Sequence, residues 1–294
     1  MADKSLGFYL LGKKGYKVLE DFIAVEGGTS VAFVVAAIDK NVDKDFYVEI
    51  KHLCLTAGVR FFDRQASDIP SGDWIFCIGW RWILSVTAQV VVFHDSLLPK
   101  YRGFSPLPNM LINGEPKIGL TALKASEKYD AGDILASASV DVSYPITIFE
   151  AIEKIIPLYS ELVLNVYRGL HSGNENCIVQ EESEASYSLW RDEEDYSIDW
   201  QRSAEFIARF CDAVGAPYRG AKSNFNNGVI RILKACPVAD VNIEDRKSHV
   251  GKIIFKDEGL PIVICGEGLL KITSAELPGS SLELQNIPFR TRFR

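Results

Sequence analysis

Two residues carry the strongest chemical signal in this sequence, His94 and Asp130. His94 ends the apolar run Val90–His94, after which the chain turns through polar, Pro- and Gly-rich sequence. Ligands of open α/β sheets bind just outside the carboxyl ends of strands, so this histidine stands where a reactive group would be needed. Imidazole is also the side chain best suited to proton transfer near neutral pH. Asp130 sits in the loop Tyr129-Asp130-Ala131-Gly132-Asp133. An acid brought beside a strand-end histidine would orient its ring and raise its basicity. Taken singly, a strand-end histidine is more often structural, and the acidic loop reads as an Asp-Gly turn.

The elements that must position these two residues follow from periodicity. Leu6–Leu11 reads as a first strand, and Gly12 and Gly15 permit the turn into a helix near Tyr16–Val25. Val31–Ile38 is apolar without alternation, as expected of a strand buried on both faces. A helix over Phe46–Ala57 and a short strand at Val59–Phe62 follow, then strands at Trp74–Gly79, Val90–His94, Leu120–Ala125 and Ile134–Val142. Thr147–Tyr167 has apolar residues at helical spacing. Beyond a helix at Ser203–Val214 come short strands at Ile230–Lys234, Gly251–Phe255, Ile262–Cys265 and Leu269–Thr273, punctuated by Gly, Asn and Pro. Alternating strands and helices predict a doubly wound, Rossmann-like α/β sheet, and the later short strands a small β-barrel or sandwich. The expected organisation is a catalytic domain over 1–180, an acidic linker over 181–200 and a C-terminal β domain over 201–294.

Bulk properties narrow the function classes. At 294 residues, two domains are the natural expectation. No apolar run approaches the roughly 18 residues of a membrane span, and Met1-Ala2-Asp3-Lys4 lacks the order of a secretory signal. The expected setting is therefore cytoplasmic. Six scattered cysteines with no C-x-x-C pair read as reduced, mostly buried thiols. Four dispersed histidines argue against a metal cluster. A net charge of −7 and a pI near 5.3 lower the expectation of a nucleic-acid partner, because polyanion binding gains from a basic surface.

The stretch His94-Asp95-Ser96-Leu97-Leu98-Pro99-Lys100-Tyr101-Arg102-Gly103, followed by Gly114-Glu115, Gly119-Leu120-Thr121 and Asp130-Ala131-Gly132-Asp133, resembles the signature of the folate-dependent formyltransferases. That family carries an Asn-x-His on a strand, an S-L-L-P-x-x-R-G loop and a later D-x-G-D loop. The interval between His94 and Asp130 is similar to the family's own. Ser197-Ile198-Asp199-Trp200, Pro217-Tyr218-Arg219-Gly220-Ala221 and Cys265-Gly266-Glu267-Gly268-Leu269-Leu270 resemble the family's C-terminal β domain, an OB-like barrel. The resemblance covers most of the chain and points to the methionyl-tRNA or sugar branches of the family.

What the resemblance implies is transfer of a formyl group from 10-formyltetrahydrofolate to an amine, with His94 and Asp130 catalytic and no metal. Trp80, Arg81, Trp82, Ile83 and Leu84 match the segment that holds the pterin in relatives, largely through backbone groups. Tyr129, Asp130 and Asp133 complete the expected cofactor site. Trp80 and Trp82 read equally well as buried aromatic packing. Ser96, Lys100, Tyr101, Arg102 and Gly103 match the loop that borders the acceptor, where cations could meet a nucleotide phosphate. The family's asparagine, two residues before the histidine, is Val92 here. Valine donates no hydrogen bond, and loss of one oxyanion donor can cost on the order of 100–1000-fold in rate. Asn109 is the candidate substitute. The expected acceptor is a nucleotide-linked amino sugar; the alternatives are methionyl-tRNA, a non-catalytic homologue that binds folate or nucleotide, and a hydrolase releasing formate. A homodimer through the C-terminal domain is a further expectation.

Overall fold

A computed structural model of the chain describes residues 5–40, 42, 44–84, 86–225, 228–277 and 283–294. The N-terminal Met-Ala-Asp-Lys, from which the absence of a secretory signal was argued, lies outside the described residues. The chain divides into two compact units: Met1–Leu107, Lys117–Asp141 and Ala151–Leu189 form the first, and Pro108–Pro116, Val142–Glu150 and Trp190–Arg294 the second.

In the first unit, β1 (Leu6–Leu10), α1 (Gly12–Glu26), β2 (Phe33–Ala36), α2 (Tyr47–Thr56), β3 (Phe61–Asp63), β4 (Trp74–Ile78) and β5 (Gln89–His94) alternate as expected. Strands β1, β2 and β4 are buried along their whole length, which is why their sequences run apolar without alternation. The reading over Val31–Ile38 was too long at both ends: Val31 is held in a turn by Gly28, and Ile38 is exposed. After β6 (Arg102–Gly103) and α3 (Pro106–Asn113) come β7 (Lys117–Lys124), β8 (Ile134–Asp141) and the long helix α4 (Ile148–Ser172).

The sheet order is β3-β2-β1-β4-β5-β7-β8. Strands β1 to β5 pair in parallel, whereas β7 runs antiparallel to β5 and β8 antiparallel to β7. The doubly wound reading therefore holds for five strands, and the far edge is a hairpin. Its connection, 125–133, is too short for the crossover that parallel neighbours need. The chain winds outward in both directions from β1 and β4, and their carboxyl ends form the switch point where such sheets bind ligands.

The second unit contains α5 (Ala204–Val214), capped by the Ser203 hydroxyl accepting from the Phe206 amide at 3.2 Å. Five antiparallel strands follow in the order β10-β11-β14-β13-β12. They are β10 (Ala221–Phe225), β11 (Gly228–Val238), β12 (Ile253–Asp257), β13 (Leu260–Ile264) and β14 (Leu269–Glu276), with the one-turn helix α6 (Arg246–His249) before β12. The C-terminal segment bridges the two open edges. Asn224 and Arg294 exchange backbone hydrogen bonds on one side, while Gly251 and Ile253 bond Phe293 and Thr291 on the other. The expected barrel is thus closed by the last residues of the chain. β10 was missed because its sequence, AKSNF, is largely polar.

The acidic stretch 181–200 divides where the units divide. In the first unit, β9 (Tyr187–Ser188) pairs with β6. In the second, Glu193 forms ion pairs with Arg219 and Arg231. No disulfide links the six cysteines, and Cys54, Cys77, Cys211 and Cys265 are buried. Burial pushes the Cys54 and Cys265 thiols up to about 12. Among the described residues, no helix is long and apolar enough to cross a membrane.

Candidate active site

On β5, Val92 and His94 share one sheet face because side chains alternate along a strand. Their cross-strand partners on β7 are Leu123 and Thr121. His94 is 7% exposed, and its Nε2 lies 2.7 Å from the carbonyl oxygen of Tyr101. Its Nδ1 lies 3.5 Å from Oδ2 of Asp130. The tertiary structure thus joins the two residues that spacing singled out. Asp130 Oδ2 also accepts the Gly103 amide at 2.8 Å. Among the described residues, its Oδ1 accepts no hydrogen bond.

The loop after His94 is held by a bond within itself and by Thr121 on β7. The Ser96 hydroxyl donates to Lys100 O at 2.7 Å, and Thr121 Oγ1 donates to Ser96 O at 2.7 Å while accepting from the Leu98 amide. Tyr101 (φ 61°), Ser105 (φ 50°) and Asp130 (φ 51°) all occupy the left-handed region. That conformation costs of order 1–3 kcal/mol for a non-glycine residue and persists only where surroundings enforce it, typically at functional sites. Gly132 is obligatory for a different reason: a Cβ there would lie 1.8 Å from the carbonyl oxygen of Lys124.

The candidate cofactor segment leaves the carboxyl end of β4, at the switch point. Trp80 packs edge-on against Tyr9 and Trp82 with ring centroids 5.0 and 4.9 Å away. Arg81 pairs with the buried carboxylate of Asp39, and the Arg64 guanidinium lies 4.4 Å from the Trp82 ring. Ile83 is exposed, and Leu84 packs on the core. Among the described residues, the main-chain N–H and C=O groups of Trp80–Leu84 enter no backbone–backbone hydrogen bond. Free peptide donors and acceptors beside an aromatic wall fit a planar heterocycle with polar edges, as the pterin of a folate is. Tyr129 is exposed, with its ring 6.4 Å from that of Phe104, and the Asp133 carbonyl accepts from the Lys124 amide.

Two families of domain match this architecture. A model described as formyl transferase matches residues 73–157, and one described as formyl transferase, C-terminal domain, matches 191–284. The chain belongs to the formyltransferase family. A methionyl-tRNA formyltransferase from Marinobacter nauticus is 30% identical over 193 residues, covering 66% of this chain and 60% of that protein. One from Clostridium novyi is 31% identical over 187 residues, covering 63% and 59%. The match thus spans about three fifths of the length of these curated relatives. Among solved structures, WlaRD, a sugar 3N-formyltransferase, superposes with a TM-score of 0.69 at 13% identity over 96% of this chain and 100% of that one. The N-formyltransferase from Helicobacter canadensis gives 0.69 at 15%, over 92% and 98%. Methionyl-tRNA formyltransferase from Clostridium thermocellum gives 0.56 at 19%, over 93% and 97%. At these identities the structural likeness is one of fold.

Within this formyltransferase fold, several expected residues take other parts. Arg102 is fully buried, with its Nη2 the one guanidinium nitrogen that has no hydrogen-bond partner among the described residues. Its Nε donates to Gln180 Oε1 at 3.1 Å, and its Nη1 to Glu182 at 2.8 Å and to Tyr187 Oη at 3.2 Å. Ser96 is buried, its hydroxyl committed to the loop, so it is a loop-forming residue. Tyr101 and Gly103 act through the main chain, and Lys100 is exposed. Asn109 groups with the second unit, where its amide oxygen accepts from Arg191. Val92 packs against Leu98, Leu123 and Ile134, so the family's asparagine position is apolar here.

Residues that sequence reasoning missed surround the pair. Asp95 accepts from Lys14 and from the Tyr159 hydroxyl. Burial would raise its pKa, but the Lys14 charge and both hydrogen bonds outweigh it and hold the carboxyl below its ordinary value. Lys14 comes from the first turn of α1 and Tyr159 from α4, so only the fold assembles this cluster. Among the described residues, no group of three or more His, Cys, Asp or Glu is arranged to hold a metal ion.

Proposed function

We propose that this chain is a folate-dependent N-formyltransferase whose acceptor is the primary amine of a nucleotide-linked amino sugar. The observation that carries the reading is the His94–Asp130 pair at 3.5 Å, on a loop whose strained backbone holds it beside the carboxyl end of β5. When bound, 10-formyltetrahydrofolate supplies an activated formyl group. The residues of the chain do the rest. The free peptide groups of Trp80–Leu84 hold the planar ring, and Tyr129 and Asp133 flank it. Asp130 Oδ1, which accepts no hydrogen bond within the described residues, takes the proton lost by the attacking amine. His94 stabilises the developing negative charge or relays that proton to the folate nitrogen, which would depart as the neutral amine when its bond to the formyl carbon breaks. Placing amine and formyl group together contributes much of the acceleration, an effect worth roughly 7–11 kcal/mol.

The sugar acceptor is supported by the net charge of −7, and by the better fold match to two sugar N-formyltransferase structures than to the tRNA enzyme. Those structures are described with dTDP and 5-N-formyl-THF, and with dTDP-3-aminofucose and folinic acid. Methionyl-tRNA is the second reading, favoured by the curated relatives near 30% identity. The test is turnover of 10-formyltetrahydrofolate against a panel of dTDP-, UDP- and GDP-linked amino sugars, with initiator methionyl-tRNA alongside. Formylation of a sugar nucleotide that His94→Ala abolishes supports the assignment. Formylation of tRNA alone overturns it.

A further inference from the structure

Gln180 lies far along the chain from both loops of the site, yet it touches each. Its Nε2 donates to the carbonyl oxygens of Asp130 at 2.8 Å and Gly132 at 2.7 Å. Its Oε1 accepts from Arg102 Nε at 3.1 Å. A side-chain amide has two N–H donors and an oxygen with two lone pairs; here both donors and one lone pair are used. Arg102 is itself held by Glu182, by Tyr187 and, through its backbone amide, by Ser186 O at 2.8 Å.

The neighbours of Arg102 give this network its consequence. Tyr101, just before it, supplies the carbonyl that binds His94 Nε2. Gly103, just after it, supplies the amide that binds Asp130 Oδ2. On the other side, Asp130 has its backbone in the left-handed region, a conformation its surroundings must enforce. The two carbonyls taken by Gln180 flank Ala131, so the amide grips the peptide segment that sets where the Asp130 carboxylate points.

We propose that Gln180 is a positioning residue that fixes the distance between His94 and Asp130 by bridging the Asp130 loop to Arg102. Gln180 touches no reacting atom in this arrangement. Its effect passes through the backbone of two loops, and small errors there matter, because a misplacement of about 1 Å can cost on the order of 100-fold in rate. The kinetic part of the inference rests on the formyl-transfer reading; the geometric part does not.

Two variants separate the possible roles. Gln180→Glu keeps an oxygen for Arg102 but loses both donors to Asp130 and Gly132, and Gln180→Met keeps the length with neither. The readout independent of activity is the ring-nitrogen NMR of ¹⁵N-histidine-labelled protein, which has only four histidines. We expect the His94 ring resonances to move in both variants towards those of Asp130→Asn, with His52, His171 and His249 unchanged. In turnover, kcat should fall about 100-fold while KM for 10-formyltetrahydrofolate stays within about twofold. Folded variants with wild-type His94 resonances overturn the proposal. So does a chain that no substitution at 180 leaves folded, since Gln180 is then a folding determinant. If the resonances move but the wild-type protein formylates no amine, the positioning role stands and the formyl-transfer reading falls.

Discussion

His94 Nε2 lies 2.7 Å from the carbonyl oxygen of Tyr101, a residue held at φ 61°. The strained turn after β5 therefore folds back to clamp the histidine that ends the strand. With that nitrogen occupied by a main-chain acceptor, the opposite nitrogen is directed at Asp130. The pair is oriented by main-chain groups of the loop, the Tyr101 carbonyl and the Gly103 amide.

Removing either member should abolish transfer without unfolding the chain. His94→Ala and Asp130→Asn are each expected to lower kcat by at least about 100-fold, the usual scale of general acid–base groups. Thermal denaturation should move by only a few degrees. Retention of more than a tenth of the wild-type rate in either variant would remove that residue from the chemistry.

Val92 occupies the family's asparagine position on the same face as His94, packed against Leu98, Leu123 and Ile134. Val92→Asn restores a donor at the cost of a polar group in an apolar cluster, roughly 1–3 kcal/mol of stability. We expect a lower Tm together with a higher kcat, by up to about 100-fold. A lower Tm with no gain in rate would show that another donor already serves.

Asp212 on α5 is 9% exposed, and burial raises its pKa from 3.8 to about 6, with Lys234 opposing and Glu150 adding to the rise. Because the folded-state value lies above the unfolded one, the native state holds the proton more tightly. Its penalty is absent below about pH 4 and grows as pH rises through about 6. At ~1.4 kcal/mol per pH unit, the full penalty is at most roughly 3 kcal/mol. Asp212→Asn should therefore raise Tm at pH 7.5 and leave it unchanged near pH 4, as read by calorimetry. An equal effect at both pH values contradicts the titration.

Phe293 is 1% exposed and lies 5.5 Å from the Trp200 ring, on the segment that joins the two edges of the second sheet. Phe293→Ala should cost about 3–5 kcal/mol as a core truncation. Exchange of the Asn224 and Ile253 amides, which donate to Arg294 O and Thr291 O, should accelerate together when measured by NMR. Unchanged protection at both would mean the barrel closes without this residue.

The sequence by itself determined the buried parallel strands, since β1, β2 and β4 read as unbroken apolar runs and each is covered on both faces. It also marked His94 and Asp130, because a polar residue that ends an apolar strand and an acidic turn are local patterns. Family likeness located the segments Trp80–Leu84 and Tyr129–Asp133. What the residues in those segments do was decided elsewhere. The resemblance places Arg102 in the acceptor loop, and only the fold shows that β6 pairs with β9 and buries it against Gln180, Glu182 and Tyr187. Gln180 and Lys14 carry no local signal at all. A side-chain amide in a polar stretch and a lysine in a helix's first turn are ordinary until folding brings distant loops into hydrogen-bond contact with them. The same holds for barrel closure, which depends on the last residues meeting two edges that precede them in the chain. Periodicity records which face of an element is buried, whereas hydrogen bonds between remote segments exist only once both segments have been placed.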